Sequence, residues 1–121
     1  MSDLRAPVLI VDDDFDLRET LAELLEDHGY RTACVSDGLD ALEYLNTHPA
    51  PRLILLDWMM PRCSGEELCT KLADDPALCK IPIAVLSADV DIARKVGFKQ
   101  VTAILQKPIS IQKVLAVLEK T

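Results

Sequence analysis

A chain of 121 residues with 13 Lys+Arg against 20 Asp+Glu carries a formal net charge of −7, and its length suits one folded domain with no room for a second. Half of the residues are hydrophobic, which argues against disorder and lets a domain of this size bury roughly 65% of its extended surface without disulfide or metal staples. The acidic balance, with no basic run, argues against a nucleic-acid backbone as partner, and no apolar run approaches the roughly 20 residues of a membrane span.

Val8-Leu9-Ile10-Val11 is continuous and β-branched, as expected of a strand buried on both faces. Leu17, Leu21, Leu24 and Leu25 then recur at helical spacing, Asp14 or Asp16 offers an N-cap, and Gly29 offers a stop. Arg31–Val35 reads as a second, weaker strand. Asp37 is placed to cap a helix with Leu39, Leu42 and Leu45 on its apolar face, which must end before Pro49. Leu53-Ile54-Leu55-Leu56 is the third strand. Ser64 and Glu67 match a capping box ahead of a helix carrying Leu68 and Leu72, which halts near Pro76. Ile83–Leu86 forms the fourth strand, Asp89–Val96 a short helix closed by Gly97, and Val101–Leu105 the fifth strand. Ser110 opens a last helix with Ile111, Val114, Leu115 and Leu118 on one face.

Strand and helix alternate five times, which implies a parallel sheet covered by helices on both sides. The expected fold is an α/β three-layer sandwich on a five-stranded parallel sheet of order 2-1-3-4-5, a flavodoxin-like wind; a closed barrel would need nearly twice the chain. The expected organisation is one domain over residues 1–121, with its core over about 7–119 and no output domain.

Cys34, Cys63, Cys69 and Cys79 contain no C-x-x-C pair and read as reduced cysteines, one or more of them small core residues. His28 and His48 stand alone, which argues against zinc. The N-terminal MSDLRAP lacks the layout of a signal peptide, so a soluble, cytoplasmic location is expected.

Chemistry collects after the strands. The first ends in Asp12-Asp13-Asp14, the third in Asp57 and the fourth in Ser87, while Lys107-Pro108 follows the fifth. Open parallel sheets bind ligands beyond the carboxyl ends of their strands, so these groups face one crevice. Capping accounts for one acid there and not for three. Clustered carboxylates repel one another unless a cation neutralises them, and an oxygen-only ligand set suits Mg²⁺.

The segments VLIVDDD, LLDWMMP, VLSA and QKP, in this order on five α/β units, resemble the receiver domain of bacterial response regulators, the CheY-like superfamily of two-component signalling, from Val8 to Leu118. The resemblance implies that Asp57 is the phosphoacceptor, taking a phosphoryl group from a histidine kinase or phosphotransfer protein. It implies that Asp13, Asp57 and the backbone carbonyl of Met59 hold Mg²⁺, with Mn²⁺ as an alternative ion, and that Asp12 acts mostly through water. Lys107 would pair with a phosphoryl oxygen, its bond to Pro108 typically being cis. Ser87 would swing its hydroxyl onto the phosphoryl group, and Ala88 would offer a backbone N–H. Met59 and Asp89 occupy positions that influence the hydrolytic water, and Met60-Pro61 resembles the family's loop, with Trp58 read as a packing residue.

The sequence also departs from the family. Ile104 stands three residues before the lysine, where a Tyr or Phe is usual, and an aliphatic side chain cannot make the aromatic flip that accompanies switching. The interval from Ser87 to Lys107 is shorter than typical, which implies a short or irregular fourth helix. Ser64 replaces a frequent Asp and serves as a cap.

The resemblance therefore implies a phosphorylation-dependent switch of protein–protein contacts, assisting its own phosphorylation and dephosphorylation without turning over a separate substrate. It acts on a downstream protein target, with no nucleic acid or membrane partner and a monomer favoured. The alternative is a receiver-like interaction module independent of phosphorylation, suggested by Ile104. An aspartyl phosphatase resembling the haloacid-dehalogenase family ranks lowest, because Met59 fills the place of its second acid.

Overall fold

The computed structural model describes residues 6–60, 63–94 and 97–121. The elements run β1 (Val8–Val11), α1 (Phe15–Asp27), β2 (Thr32–Val35), α2 (Gly38–Thr47), β3 (Leu53–Asp57), α3 (Gly65–Ala73), β4 (Ile83–Ser87), α4 (Val90–Arg94), β5 (Val101–Gln106) and α5 (Ile111–Glu119). The expected end of α4 at Val96, Pro61 of the Met60-Pro61 loop, and residues 1–5 lie outside the described residues.

All strand pairs are parallel and the order is β2-β1-β3-β4-β5, as the alternation of elements implied. The three central strands β1, β3 and β4 are buried along their whole length, which is why they read as unbroken apolar runs. Side chains alternate between the two faces. Leu9, Val11, Ile54, Leu56, Ile83 and Val85 meet Ala41 and Leu45 of α2 and Leu68, Cys69 and Leu72 of α3 on one side. Val8, Ile10, Leu53, Leu55, Ala84 and Leu86 meet Leu21, Ala22 and Leu25 of α1 and Val114 and Leu118 of α5 on the other.

The edge strand β5 breaks the alternation once. Its register with β4 shifts between Ile83 and Ala84, so that Thr102 is passed over while Ile83 pairs Val101 and Ala84 pairs Ala103. After the bulge Ile104 packs, half-buried, on the same side as Val101 and Phe98, and Ala103 and Leu105 on the other.

Helix starts follow their side chains. Asp14 caps α1 by accepting from Leu17 N at 3.2 Å, and Asp37 caps α2 by accepting from Asp40 N at 3.0 Å. Ser64 and Glu67 form the expected capping box of α3. Ser110 occupies the N-cap of α5 without a side-chain cap bond. Gly29, at φ +90°, closes α1 in a conformation that favours glycine.

One expectation of the helical pattern is corrected. Leu39 does not join the apolar face of α2: it is 43% exposed, and Gly38, Ala41 and Leu45 are the residues that helix buries. Gly38 lies so close to Cys63 that an added Cβ would come within 2.6 Å of its Sγ, which swings the helix onto its 38/41/45 stripe and turns Leu39 outward.

Cys63 and Cys69 are buried core residues, Cys34 is exposed, and all four cysteines are free thiols. Among the described residues no helix is long and apolar enough to cross a membrane.

Candidate functional site

Sheet register assembles the site. Val11 pairs Leu56, so the residues that follow them, Asp12 and Asp57, leave adjacent strands side by side. Asp57 itself pairs Leu86, one residue before Ser87, and Ser87 pairs Gln106, one residue before Lys107. The Lys107 amide then donates to the Ser87 carbonyl at 2.9 Å, carrying the pairing one step beyond the strand. The Lys107–Pro108 peptide bond is cis.

Asp12 and Asp57 are buried, at 0% and 4% exposure, while Asp13 is exposed at the mouth. Oxygen atoms from Asp12, Asp13 and Asp57 can lie within 4.8 Å of one another, and this is the sole cluster of His, Cys, Asp or Glu with metal-binding spacing among the described residues. Lys107 Nζ reaches in from β5, 3.3 Å from Asp57 Oδ1 and 3.6 Å from Asp12 Oδ2.

The two buried acids differ in how they are held. Asp12 Oδ1 accepts from the Asp14 amide at 2.9 Å, whereas Asp12 Oδ2 is buried with no hydrogen bond and only the longer ion pair to Lys107. Asp57 Oδ1 accepts from the Met59 amide at 3.3 Å as well as from Lys107. Burial, then the Asp12 charge, push the Asp57 carboxyl up from 3.8 to about 6, against the opposing pull of Lys107. Burial alone would lower Lys107, but the Asp57 and Asp12 carboxylates outweigh it and hold the ammonium above its ordinary value.

One lysine thus stands against three carboxylates, two of them buried, and one buried oxygen has no hydrogen-bond donor. Such a set fits a hard divalent cation with oxygen ligands, and the residues present suit Mg²⁺.

The remaining expected residues lie around this mouth. Ser87 is buried at the end of β4, its hydroxyl donating to the Asp89 carbonyl at 2.8 Å and accepting from the Asp89 amide at 3.1 Å. Ala88 and Asp89 are exposed. Met59 is 71% exposed, although its neighbour Trp58 is buried in the core against Gly65. Ile104 lines a cavity of about 160 Å³ together with Arg94, Gly97, Phe98 and Val101.

Sequence reasoning missed two residues. Gln100 is buried and its side-chain amide donates to the carbonyls of Leu78 and Ile81, at 2.8 and 2.9 Å, tying the approach to β5 onto the approach to β4. Arg18 donates to the Asp12 carbonyl at 2.8 Å. The available signal for Arg18 was that it is the sole cation in an otherwise acidic helix, one turn after the acid run.

A family model described as the response regulator receiver domain matches residues 8–119. Curated relatives include the response regulator MprA of Mycobacterium ulcerans, 36% identical over 114 residues that cover 90% of this chain and 47% of that protein. MprA of Mycobacterium leprae is also 36% identical, with the same coverage of both chains. The chain therefore spans about half the length of the curated relatives it matches. Among solved structures, the signal receiver domain of a signal transduction histidine kinase from Syntrophus aciditrophicus superposes with a TM-score of 0.84 at 30% identity, covering 95% of this chain and 88% of that one. The chemotaxis response regulator CheY4 of Vibrio cholerae gives 0.85 at 26% identity, covering 95% and 97%. The strand order and the acids at the strand ends agree with a family match that runs through all five strands, and the chain belongs to the response regulator receiver domain family.

Proposed function

We propose that Asp57 is the phosphoacceptor of this receiver and that its modification switches contacts with a downstream protein. The observation that carries this is the pair of contacts from Lys107 Nζ to Asp57 Oδ1 and Asp12 Oδ2, 3.3 and 3.6 Å, two members of the three-carboxylate cluster. A cation and a nucleophilic carboxylate are thereby held where the charge of a transferring phosphoryl group would develop.

The donor is a phosphohistidine on a histidine kinase or phosphotransfer protein. An Asp57 carboxylate oxygen attacks phosphorus, the new bond being O–P. The P–N bond breaks, its electron pair returns to the imidazole nitrogen, and that nitrogen takes up a proton. Lys107 then leaves its pairing with the acids to hold a phosphoryl oxygen. Asp12, Asp13, Asp57 and the Met59 carbonyl are the residues that would hold Mg²⁺. When bound, Mg²⁺ offsets negative charge on the transferring oxygens. The Ser87 hydroxyl and the Ala88 amide supply further donors to the phosphoryl group, and Met59 and Asp89 flank the approach of the water that later hydrolyses the acyl phosphate.

In this reading the chain works in the cytoplasm as a signalling module that acts on no separate substrate. Its partners are a phosphodonor protein and a protein target.

Incubation with Mg²⁺ and acetyl phosphate, followed by intact mass measurement, tests the assignment. Wild type gains one phosphoryl group and the Asp57→Asn variant gains none. Wild type without the gain would favour a receiver that binds its partners independently of phosphorylation.

A further inference from the structure

The main chain of Asp12 is anchored at every polar atom. Its amide donates to the Val35 carbonyl of β2 at 3.2 Å, and its carbonyl accepts from Arg18 Nη1 at 2.8 Å. Its own Oδ1 takes the Asp14 amide at 2.9 Å, which leaves its Oδ2 buried without a hydrogen bond. Of these three anchors, only the one from Arg18 comes from the side chain of another residue.

Arg18 is itself constrained. It is half-buried on the second turn of α1, its amide bonds to the Asp14 carbonyl at 3.0 Å, and its guanidinium lies 5.3 Å from the centroid of the Phe15 ring. The β1–α1 turn that bears Asp12 and Asp13 is thus gripped from the helix that follows it. A guanidinium is suited to this, because it stays charged and its planar fork presents its donors in a fixed geometry.

We propose that Arg18 is a positioning residue for the metal site: its bond to the Asp12 carbonyl fixes the turn so that the carboxylates of Asp12 and Asp13 converge with Asp57. The proposal rests on the metal-binding reading given above. Outer partners that orient ligating carboxylates without touching the ion commonly change metal affinity by roughly 10–100-fold when removed.

Charge and position make opposite predictions here. Arg18 is a cation near an acidic site, so on charge alone its removal would tighten Mg²⁺ binding. Loss of a positioning bond loosens it. The sign of the change therefore separates the two.

The test is Mg²⁺ titration by calorimetry on the full chain, with thermal unfolding in EDTA run alongside. Arg18→Met keeps an unbranched apolar stem and deletes the donors, and Arg18→Leu takes its place if that variant does not fold. The expected result is a weakening of about tenfold. Arg18→Lys retains an N–H donor on a side chain long enough to reach the Asp12 carbonyl and recovers most of the affinity. An Mg²⁺ affinity unchanged or tightened in Arg18→Met overturns the proposal, as does failure of Arg18→Lys to recover, whatever happens to the unfolding temperature. Wild type that shows no saturable Mg²⁺ binding would instead sink the metal reading beneath it.

Discussion

The Ser87 hydroxyl is bonded to both main-chain polar groups of Asp89, donating to its carbonyl at 2.8 Å and accepting from its amide at 3.1 Å. A side chain expected to meet a phosphoryl group is therefore already engaged two residues further along its own chain. The residue it holds immediately precedes α4, a helix of five residues. In a chain whose residue 104 is Ile, movement of Ser87 has a direct route to α4 that requires no aromatic side chain.

Phosphorylation should accordingly loosen α4. A single hydrogen bond of this kind contributes about 1 kcal/mol, enough to change local opening several-fold. Amide hydrogen exchange across Asp89–Arg94 is expected to speed up when wild type is treated with Mg²⁺ and acetyl phosphate. In Ser87→Ala the same amides should exchange fast before treatment and change little after it. Protection that is identical in both proteins would show that Ser87 does not hold this turn.

The raised Asp57 carboxyl gives stability a pH signature in metal-free protein. Its folded value of about 6 lies above the unfolded 3.8, so the folded state binds the extra proton between them. Stability contributed by that proton is complete below 3.8 and is lost as pH rises through about 6. With EDTA present, wild type at pH 5 should be more stable than at pH 7.5 by about 1 kcal/mol, after subtraction of the same difference measured in Asp57→Asn. Urea unfolding of the two proteins at both pH values measures it. An equal pH dependence in wild type and variant would mean that Asp57 does not titrate in this window.

Neighbouring acids in the 12–14 run should separate cleanly by role. Asp13 is exposed and belongs to the carboxylate cluster, whereas Asp14 caps α1 through its contact with Leu17 N at 3.2 Å. Saturating Mg²⁺ at a hundredfold excess over Kd stabilises a protein by about 2.7 kcal/mol. Thermal unfolding with and without Mg²⁺ should show that gain in wild type and in Asp14→Asn, since Asn is an equally good cap. Asp13→Asn should lose most of it. A gain of the same size in Asp13→Asn would remove Asp13 from the ligand set.

What could be read from the sequence divides along physical lines. The central strands were legible because burial on both faces demands unbroken apolar runs, and the acids were legible because they follow those runs directly. Caps at Asp37 and Ser64 were legible from local chemistry alone. Contacts set by tertiary approach were not. Leu39 has helical spacing, yet the closeness of Gly38 to Cys63 decides which stripe of α2 is buried. The bulge at Thr102 carries no compositional mark, although it is what turns Ile104 toward Phe98 and Val101. Arg18 was passed over because a lone arginine on a helix surface is ordinary until its guanidinium is seen on the Asp12 carbonyl.

Met59 is placed to affect the lifetime of the modified state. It follows Asp57 by two residues and is 71% exposed, so its side chain stands in solvent beside the buried carboxylate while Trp58 is turned into the core. Its amide, and not its side chain, is what holds Asp57 Oδ1, at 3.3 Å. Replacing the side chain therefore leaves that bond and the packing intact, and surface changes of this kind usually move stability by less than about 0.5 kcal/mol. Met59→Ala, loaded with acetyl phosphate and then desalted, should lose its phosphoryl group at a rate different from that of wild type, while urea unfolding stays unchanged. Asp89, two residues after Ser87, is exposed, with its Oδ1 accepting from the Asp91 amide at 3.0 Å. Asp89→Asn keeps an acceptor for that amide and removes the side-chain charge. Decay followed by intact mass in both single variants and in the double variant shows whether the two positions act together, because independent effects multiply and coupled ones do not. Decay rates equal to wild type in all three would place control of hydrolysis elsewhere in the site.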